Sequence, residues 1–263
     1  MVKRRLIPKL LIKHRTIGRS VRPVLVTTNG YTRALDVGDP TSQAKIYEAQ
    51  LADELIVLNI DDSPIGNDQV MLSLIERLAT ETFMPLAVGG GVREVNDFGR
   101  LLERGADKVT INSAALQTPA LITEAANRYG GQCVVVSIDF RTMPDGSAMV
   151  MDHHASRATG RTLLDWADEA VRLGAGELLL TDADRDGTGG GLNWQRCREV
   201  ASHVPVPVVI SGGCGLADHF VEGFTKGLAE GVAAGTFFCF RDQNPMQTRA
   251  HIRNAGVSIR MET

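Results

Sequence analysis

The sequence predicts an α/β fold whose parallel strands close into a barrel, and two observations lead to this prediction. Short apolar strands alternate with amphipathic helices, joined by short helix-to-strand turns such as residues 103–108. Strict alternation of this kind favours a parallel sheet, open or closed. Residues 52–61 are repeated at 175–184, and Gly90-Gly91 is echoed by Gly212-Gly213 at nearly the same offset. Two half-barrels, at about residues 1–130 and 131–263, favour one closed (β/α)8 barrel domain.

The predicted elements follow in order along the chain. After an apolar strand at residues 6–12, the polar residues 14–40 are predicted to be a mobile loop with a small hairpin. Residues 141–161, which contain the turn formers Pro144, Asp145 and Gly146, are predicted to be an elaborated loop. The pattern predicts helices at residues 41–50, 69–81, 119–129, 162–173, 193–204 and from about 245, and further strands at 54–60, 133–138 and 177–181.

Composition and charge argue against several classes of function. The chain has 43% apolar residues and a net charge of −3, whereas nucleic-acid and anionic-membrane partners usually require a basic excess. No run of 18 apolar residues is present, and the first residues lack a signal-peptide pattern. The four cysteines are widely spaced, so we predict reduced thiols in a cytoplasmic protein, without a metal or cofactor.

Two similar segments, residues 85–114 and 207–237, are each predicted to form a strand ending in glycines, a helix, and a second strand. Such strand ends leave backbone N–H groups available to an anion. Asn112, Asp139, Asp186 and Thr188 also follow predicted strands, at the end of a barrel where chemistry takes place. The repeat therefore predicts a substrate with two anionic ends. The alternative for each glycine is a tight turn and nothing more.

These residues lie in motifs that span nearly the whole chain, among them VGGGVR, RGADKVTINSAA, GQCVVVSID, LGAGELLLTDADRDGT and SGGCG. With them the chain closely resembles the cyclase subunit of imidazole glycerol phosphate synthase. The resemblance implies a barrel that takes ammonia from a glutaminase partner, as a heterodimer, and passes it through the core to a substrate with two phosphates. One phosphate would meet the first anion cradle, which comprises Gly91, Asn112 and Ser113. The other would meet the second anion cradle, which comprises Asp186, Gly187, Thr188, Gly212, Gly213, Gly235 and Thr236.

The resemblance also implies a gate for ammonia at the opposite end of the barrel. There the family carries a ring of alternating charges, and we predict that Arg5, Glu48, Lys108 and Glu177 form it. Asp107 stands where the family contacts its glutaminase. Buried charges are costly unless paired, so a ring of them favours a functional role. The alternative is a charge cluster that is merely structural.

The predicted active site departs from the family at its first strand. The family's acid–base pair consists of two aspartates, and Asp139 matches the second, but Leu11 stands in place of the first. A leucine can neither donate nor accept a proton, and general acid–base help is typically worth ~10²–10⁴-fold in rate. Other departures on this face are Lys9, His14-Arg15, Arg19, Asn59 and the run Asp152-His153-His154. We interpret the run Asp152-His153-His154 as solvated polar residues rather than as metal ligands.

Three functions are compatible with this pattern. The combination of Leu11 with retained gate residues resembles a branch found with surface-polysaccharide genes, whose members work with a glutaminase and a sugar amidotransferase to form acetamidino sugars. The second hypothesis is the histidine-biosynthetic cyclase and lyase, with Asp139 acting alone or with a partner such as Asp61. The third is a non-catalytic scaffold that activates its glutaminase.

Overall fold

Eight parallel strands form a closed barrel at the centre of the molecule. The computed structural model describes residues 4–32, 34–61, 63–152, 156–240 and 243–260. Each barrel strand pairs in parallel with its neighbours, and β12 closes the circle on β1. The predicted (β/α)8 barrel is thus confirmed. Its strands are β1 (Arg5–Ile17), β4 (Leu55–Asn59), β5 (Leu86–Gly89), β6 (Lys108–Ile111), β7 (Val134–Thr142), β10 (Glu177–Asp182), β11 (Val208–Ser211) and β12 (Gly231–Ala234).

Helices surround the barrel and pack on it through one large apolar cluster. Several of them begin where a short polar side chain accepts a free N–H group, as Asp39 does before α1 and Asp68 before α2. The helices are α1 (Pro40–Ala49), α2 (Gln69–Glu81), α3 (Val95–Glu103), α4 (Ser113–Gln117), α5 (Ala120–Tyr129), α6 (Leu163–Leu173), α7 (Trp194–Ala201), α8 (Ala217–Thr225), α9 (Thr236–Phe240) and α10 (Pro245–Asn254). Among the residues described, no helix is long and apolar enough to cross a membrane.

Two segments that we predicted as loops form antiparallel sheets above the barrel. In residues 14–40, β1 continues to Ile17 and pairs with β2 (Ser20–Thr27), which in turn pairs with β3 (Leu35–Gly38). In residues 141–161, β7 continues to Thr142 and pairs with β8 (Ala148–Asp152), and β8 pairs with β9 (Arg157–Thr162). The small hairpin predicted in the first segment is present, but both segments are more regular than predicted, because their polar composition hid β-branched residues that favour strands. Arg33 and residues 153–155 lie outside the described residues.

The interior of the barrel is divided into layers, because alternate residues of each strand point inward. On β1 these are Arg5, Ile7, Lys9 and Leu11. A small apolar cluster, contributed by seven strands, fills the middle layer: Ile7, Ile56, Ala87, Val135, Leu179, Val209 and Ala233. Charged residues lie on either side of this layer. The barrel therefore has two polar ends, the amino-terminal end and the carboxy-terminal mouth, with an apolar layer between them.

Candidate functional site

Four charged side chains form a closed ring at the amino-terminal end of the barrel, and three of them are buried while Lys108 is partly exposed. Arg5 bridges Glu54 at 2.6 Å and Glu177 at 2.9 Å, and Lys108 bridges the same two carboxylates at 2.9 and 3.1 Å. Burial alone would lower the pKa of Arg5, but Glu177 and Glu54 hold that pKa above its ordinary value. Each charge thus touches two charges of opposite sign, which offsets the cost of removing the three buried charges from water.

The fourth member of this ring is Glu54, so the prediction of Glu48 was wrong. Glu48 lies on α1, outside the barrel, where its carboxylate accepts a hydrogen bond from the backbone N–H of Phe83. Glu54 immediately precedes β4 and is almost fully buried. The internal repeat contained the signal, because residues 52–61 match 175–184 and place Glu54 opposite Glu177.

Asp107 is exposed at the same end of the molecule, just before β6. Its carboxylate accepts a hydrogen bond from the backbone N–H of Leu86 at 2.8 Å. This contact fixes the turn between α3 and β6. Because the residue is both exposed and held in place, its position is compatible with the predicted interface.

Asp139 lies at the carboxy-terminal mouth, on β7, with 8% of its surface exposed. The hydroxyl of Tyr31 donates to one of its oxygens at 2.8 Å, and the amide of Asn112 donates to the other at 2.9 Å. Burial raises the pKa of Asp139 to about 6, although the hydrogen bond from Tyr31 and the charge of Lys9 oppose this rise. A carboxyl group with this pKa can give or take a proton near neutral pH.

Tyr31 was missed by the sequence reasoning, because it lay in a segment predicted to be mobile. It follows β2 and has a φ of 63°, a left-handed conformation that is uncommon for a bulky residue. The same segment is fastened to Asp186, since Thr28 donates to the carboxylate at 3.1 Å and the N–H of Gly30 donates to the backbone carbonyl at 2.9 Å. Strained residues held in this way are frequent at functional sites.

The second anion cradle borders a cavity at the mouth. Six of its seven predicted residues line this cavity, and Lys9, Leu11 and Ser211 line it with them. The seventh, Thr188, points elsewhere, since its hydroxyl donates to the carbonyl of Arg185 at 2.7 Å. A side chain at Gly212, whose φ is 89°, would meet the carbonyl of Asp182 at 2.6 Å, so this glycine is required by the turn. The lining residues are Asp186, Gly187, Gly212, Gly213, Gly235 and Thr236.

Lys9 brings a buried positive charge to this cavity. Its side chain is only 7% exposed, and its ammonium group lies 3.7 Å from Asp186. Ser211 also faces the cavity, and its buried hydroxyl has no hydrogen-bond partner among the described residues. Buried polar atoms without partners are rare and mark places where a ligand or water binds.

The first anion cradle differs, because its side chains already bind carboxylates of the same chain. Asn112 donates to Asp139 at 2.9 Å, and the hydroxyl of Ser113 donates to Asp152 at 2.5 Å. A side chain at Gly91, whose φ is 77°, would meet the carbonyl of Ser63 at 2.2 Å, so this glycine packs against a neighbouring loop. The structure brings the three predicted residues to the mouth. The side chains of Asn112 and Ser113, however, already form hydrogen bonds within the chain.

His14, another departure from the family pattern, forms contacts above the barrel. The ring of His14 lies 2.9 Å from Asp61 and 3.3 Å from Asp68, which fastens β1 to the loop after β4. Asp61 thus contacts the side chains of His14 and, at 3.7 Å, Lys13. Within the described ranges, no three His, Cys, Asp or Glu side chains are arranged to hold a metal ion. His153 and His154 lie outside those ranges.

A (β/α)8 barrel with a buried carboxyl group and a polar cavity at its carboxy-terminal mouth has the architecture of a barrel enzyme. Comparison with known proteins then gives the family. The family described as "Histidine biosynthesis protein" matches residues 5–244, and the chain belongs to this family.

Three similar proteins align with this chain over 99–100% of its length. The chain is 48% identical to "Putative imidazole glycerol phosphate synthase subunit hisF2" of Prochlorococcus marinus (strain MIT 9313), with 100% of both chains covered. It is 42% and 41% identical to the imidazole glycerol phosphate synthase subunits HisF of Geobacillus kaustophilus (strain HTA426) and Geobacillus thermodenitrificans (strain NG80-2), over 99% of this chain and 100% of each relative. The resemblance predicted from the sequence motifs is therefore confirmed at the level of the HisF-like family.

Proposed function

We propose that the chain is the synthase subunit of a cytoplasmic glutamine amidotransferase and receives ammonia from a glutaminase partner. The observation that carries this proposal is the closed charge ring at the amino-terminal end. The two cations and two anions of the ring are already paired with one another, so an ammonium ion entering it would lose its hydration without gaining a free carboxylate. Neutral ammonia is small and has no charge to desolvate.

The middle layer supports the same path. It is apolar, and two of its members, Ala87 and Ala233, are small. Beside it, the hydroxyl of Thr110 is buried and has no hydrogen-bond partner within the described residues. An apolar passage with isolated hydroxyl groups lets a neutral molecule pass and rejects an ion. Asp107 belongs to the surface on which the glutaminase would dock.

At the mouth, the nitrogen meets an acceptor that carries phosphate. Asp139 is the proposed general acid–base group, since its pKa of about 6 suits proton transfer at neutral pH. Leu11 lines the second-cradle cavity where a second carboxylate would be needed for ring closure. The proposed reaction is therefore nitrogen transfer to an activated sugar, as in acetamidino-sugar formation for surface polysaccharides, with a sugar amidotransferase as a further partner.

The alternative is the imidazole glycerol phosphate synthase reaction of histidine biosynthesis. It is favoured by the 41–42% identity to HisF subunits over the full length of the chain. The two functions separate in one experiment. The purified chain is given ammonium and the nucleotide substrate of imidazole glycerol phosphate synthase, and imidazole formation is followed. Our proposal expects a rate at least about a hundredfold below that of a HisF control, as loss of one acid–base group implies.

The ammonia path is tested in the complex with the glutaminase. The glutamine carries ¹⁵N in its amide group, and the measured quantity is the ratio of labelled ammonium in the medium to labelled product. We expect Lys108→Met to raise this ratio at least about threefold, because the substitution opens the charge ring. Lys45→Met, which removes an exposed lysine of α1, serves as the matched control. Equal escape in wild type and Lys108→Met contradicts the gate.

If Asp139→Asn leaves every activity of the complex intact, the barrel is a scaffold.

A further inference from the structure

We propose that Lys9 is a nucleophile and forms a covalent imine with the aldehyde or ketone group of a substrate at the mouth. Lysine amines react in this way in enzymes whose buried sites bring a carbonyl compound and an acid–base group to them. The inference goes beyond the proposed function, because the imine requires neither ammonia nor a glutaminase. It rests on that function only in taking the mouth as the substrate site.

Lys9 lies where the barrel interior changes from apolar to polar. On the inward face of β1 it stands between Ile7, a member of the middle layer, and Leu11. Its side chain is only 7% exposed, yet it lines the cavity at the mouth together with Leu11 and Ser211. The amine is therefore shielded from bulk water, which protects an imine from hydrolysis, while a small molecule in the cavity can reach it.

The carboxylates near Lys9 do not hold its amine tightly. Asp186 is its ion-pair partner, but the 3.7 Å between Nζ and the carboxylate oxygen is longer than a hydrogen bond. The other oxygen of Asp186 accepts a hydrogen bond from Thr28 at 3.1 Å, which fixes the carboxylate in place. Asp139 is also within electrostatic reach, since burial raises its pKa to about 6 and the charge of Lys9 opposes that rise. The amine thus has a proton acceptor and an acid–base group close by.

The proposed step conserves atoms and charge. The ammonium group of Lys9 gives a proton to a neighbouring carboxylate, and the neutral amine attacks the carbonyl carbon. Asp139 moves this proton and a second one from nitrogen to the carbonyl oxygen, which leaves as water as the C=N bond forms. The product is an iminium ion, so the positive charge beside Asp186 is the same before and after the step, and no new charge is buried.

Ser211 supplies a hydrogen-bond donor for the same oxygen. Its side chain lies on β11 and lines the cavity with Lys9. The residue is 1% exposed, and its hydroxyl has no hydrogen-bond partner among the described residues. A donor that is fixed in a buried site and unpaired stabilises negative charge that develops on a carbonyl oxygen during attack.

The alternative is that Lys9 is only the counter-ion of Asp139 and Asp186. The two roles differ in a measurable rate. A buried counter-ion should react with carbonyl compounds more slowly than an exposed lysine, whereas a nucleophile with an acid–base partner should react faster. The chain has six lysines, so a label on each of them can be located separately.

The test is reductive trapping on the full chain. Dihydroxyacetone, a small ketone, is added with sodium borohydride, which reduces an imine to a stable secondary amine, and the labelled peptides are mapped by mass spectrometry. We expect Lys9 to be labelled at least about tenfold faster than Lys45, because general acid–base help is typically worth ~10²–10⁴-fold. Lys45 is the reference, since its side chain on α1 is 53% exposed. Glycerol, which has no carbonyl group, should leave the mass of the chain unchanged.

Two variants separate the roles of the groups. Lys9→Arg keeps a positive charge beside Asp186 but cannot form an imine, so it should lose the fast mass gain. Asp139→Asn should slow labelling of Lys9 at least about tenfold and leave Lys45 unchanged. If Lys9 were only a counter-ion, loss of this carboxylate would free the amine, and labelling would rise instead.

Circular dichroism checks that both variants fold, and the peptide map of the wild type decides on its own if Lys9→Arg does not. Labelling of Lys9 no faster than that of Lys45, or labelling of Lys9 that Asp139→Asn leaves unchanged or raises, would overturn the inference.

The trapping reaction contains neither ammonia nor glutaminase. Its failure therefore leaves the nitrogen-transfer proposal standing, and a failure of nitrogen transfer leaves the trapping result standing.

Discussion

The two ends of the barrel contain similar charged residues in opposite arrangements. At the amino-terminal end, two cations and two anions alternate in a ring, and each touches two partners of opposite sign. At the mouth, Lys9 has one distant carboxylate, and Asp139 adds a further negative charge nearby. The first arrangement is complete without a ligand, whereas the second leaves a cation and a hydroxyl group available. The comparison therefore separates a charge ring that is paired within itself from a mouth that keeps polar groups without close partners among the described residues.

The largest expected effect comes from breaking the ring. Glu54→Gln leaves Arg5 and Lys108 with one carboxylate between them in a buried place, and we expect the free energy of unfolding to fall by about 3–5 kcal/mol. Urea denaturation measures this change. Glu48→Gln is the control, because Glu48 lies outside the barrel and should cost at most about 1 kcal/mol. Similar losses in the two variants would contradict the assignment of Glu54 to the ring.

A smaller effect, of opposite sign, is expected at the mouth. The pKa of Asp139 is about 6 in the folded chain and 3.8 in a free chain, so the folded state binds the proton more tightly. The free energy of unfolding therefore falls as pH rises through this window, and the loss is complete above pH 6. Asp139→Asn should remove the loss and raise stability at pH 7 by about 3 kcal/mol, while activity disappears.

The measurement for Asp139→Asn is urea denaturation at pH 4 and at pH 7. Asn112 can accommodate the new amide by rotating its own, because its carbonyl oxygen lacks a hydrogen-bond partner in the described structure. Near pH 4 the variant and the wild type should be about equally stable. A difference that is the same at both pH values would show that titration of Asp139 is not its cause.

The smallest effect concerns Tyr31. Its hydroxyl stabilises the ionised form of Asp139 by donating a hydrogen bond, so Tyr31→Phe should raise the pKa of Asp139 above about 6. Carboxyl ¹³C chemical shifts followed against pH would give this pKa. Tyr129→Phe removes a phenol hydroxyl from α5, away from the mouth, and should leave it unchanged. An unchanged pKa in Tyr31→Phe would mean that the contact is absent in solution.

Helices and strands with a clear local sequence pattern could be predicted from the sequence alone. Residues 69–81 combine an amphipathic pattern with an aspartate cap, and the helix has those bounds. The helix predicted at residues 193–204 ends earlier, at Ala201, because Ser202 and the residues after it already turn toward β11. The internal repeat predicted the barrel and contained the correspondence between Glu54 and Glu177, although the family resemblance had suggested Glu48.

The contacts at the mouth were not predictable in the same way. Tyr31 reaches Asp139 only because β1, β2 and β3 pair in a particular register, and Asp152 reaches Ser113 only because β8 folds back on β7. Register in short, polar antiparallel strands depends on neighbours distant in sequence. The same holds for the unpartnered hydroxyl of Ser211, which is visible only when the surrounding strands are in place.

The sequence by itself determined the alternation of strands and helices, the repeated glycine turns, and the replacement of an expected carboxylate by Leu11. The first two follow from residue type and spacing along the chain, and the third is what the family resemblance implies. The tertiary structure decided which charges meet. It placed Glu54 rather than Glu48 in the ring, left Lys9 beside an open cavity, and filled the first cradle with Asp139 and Asp152. The physical reason is that pairing energies of buried charges depend on distances of a few ångströms across strands, which no local pattern records.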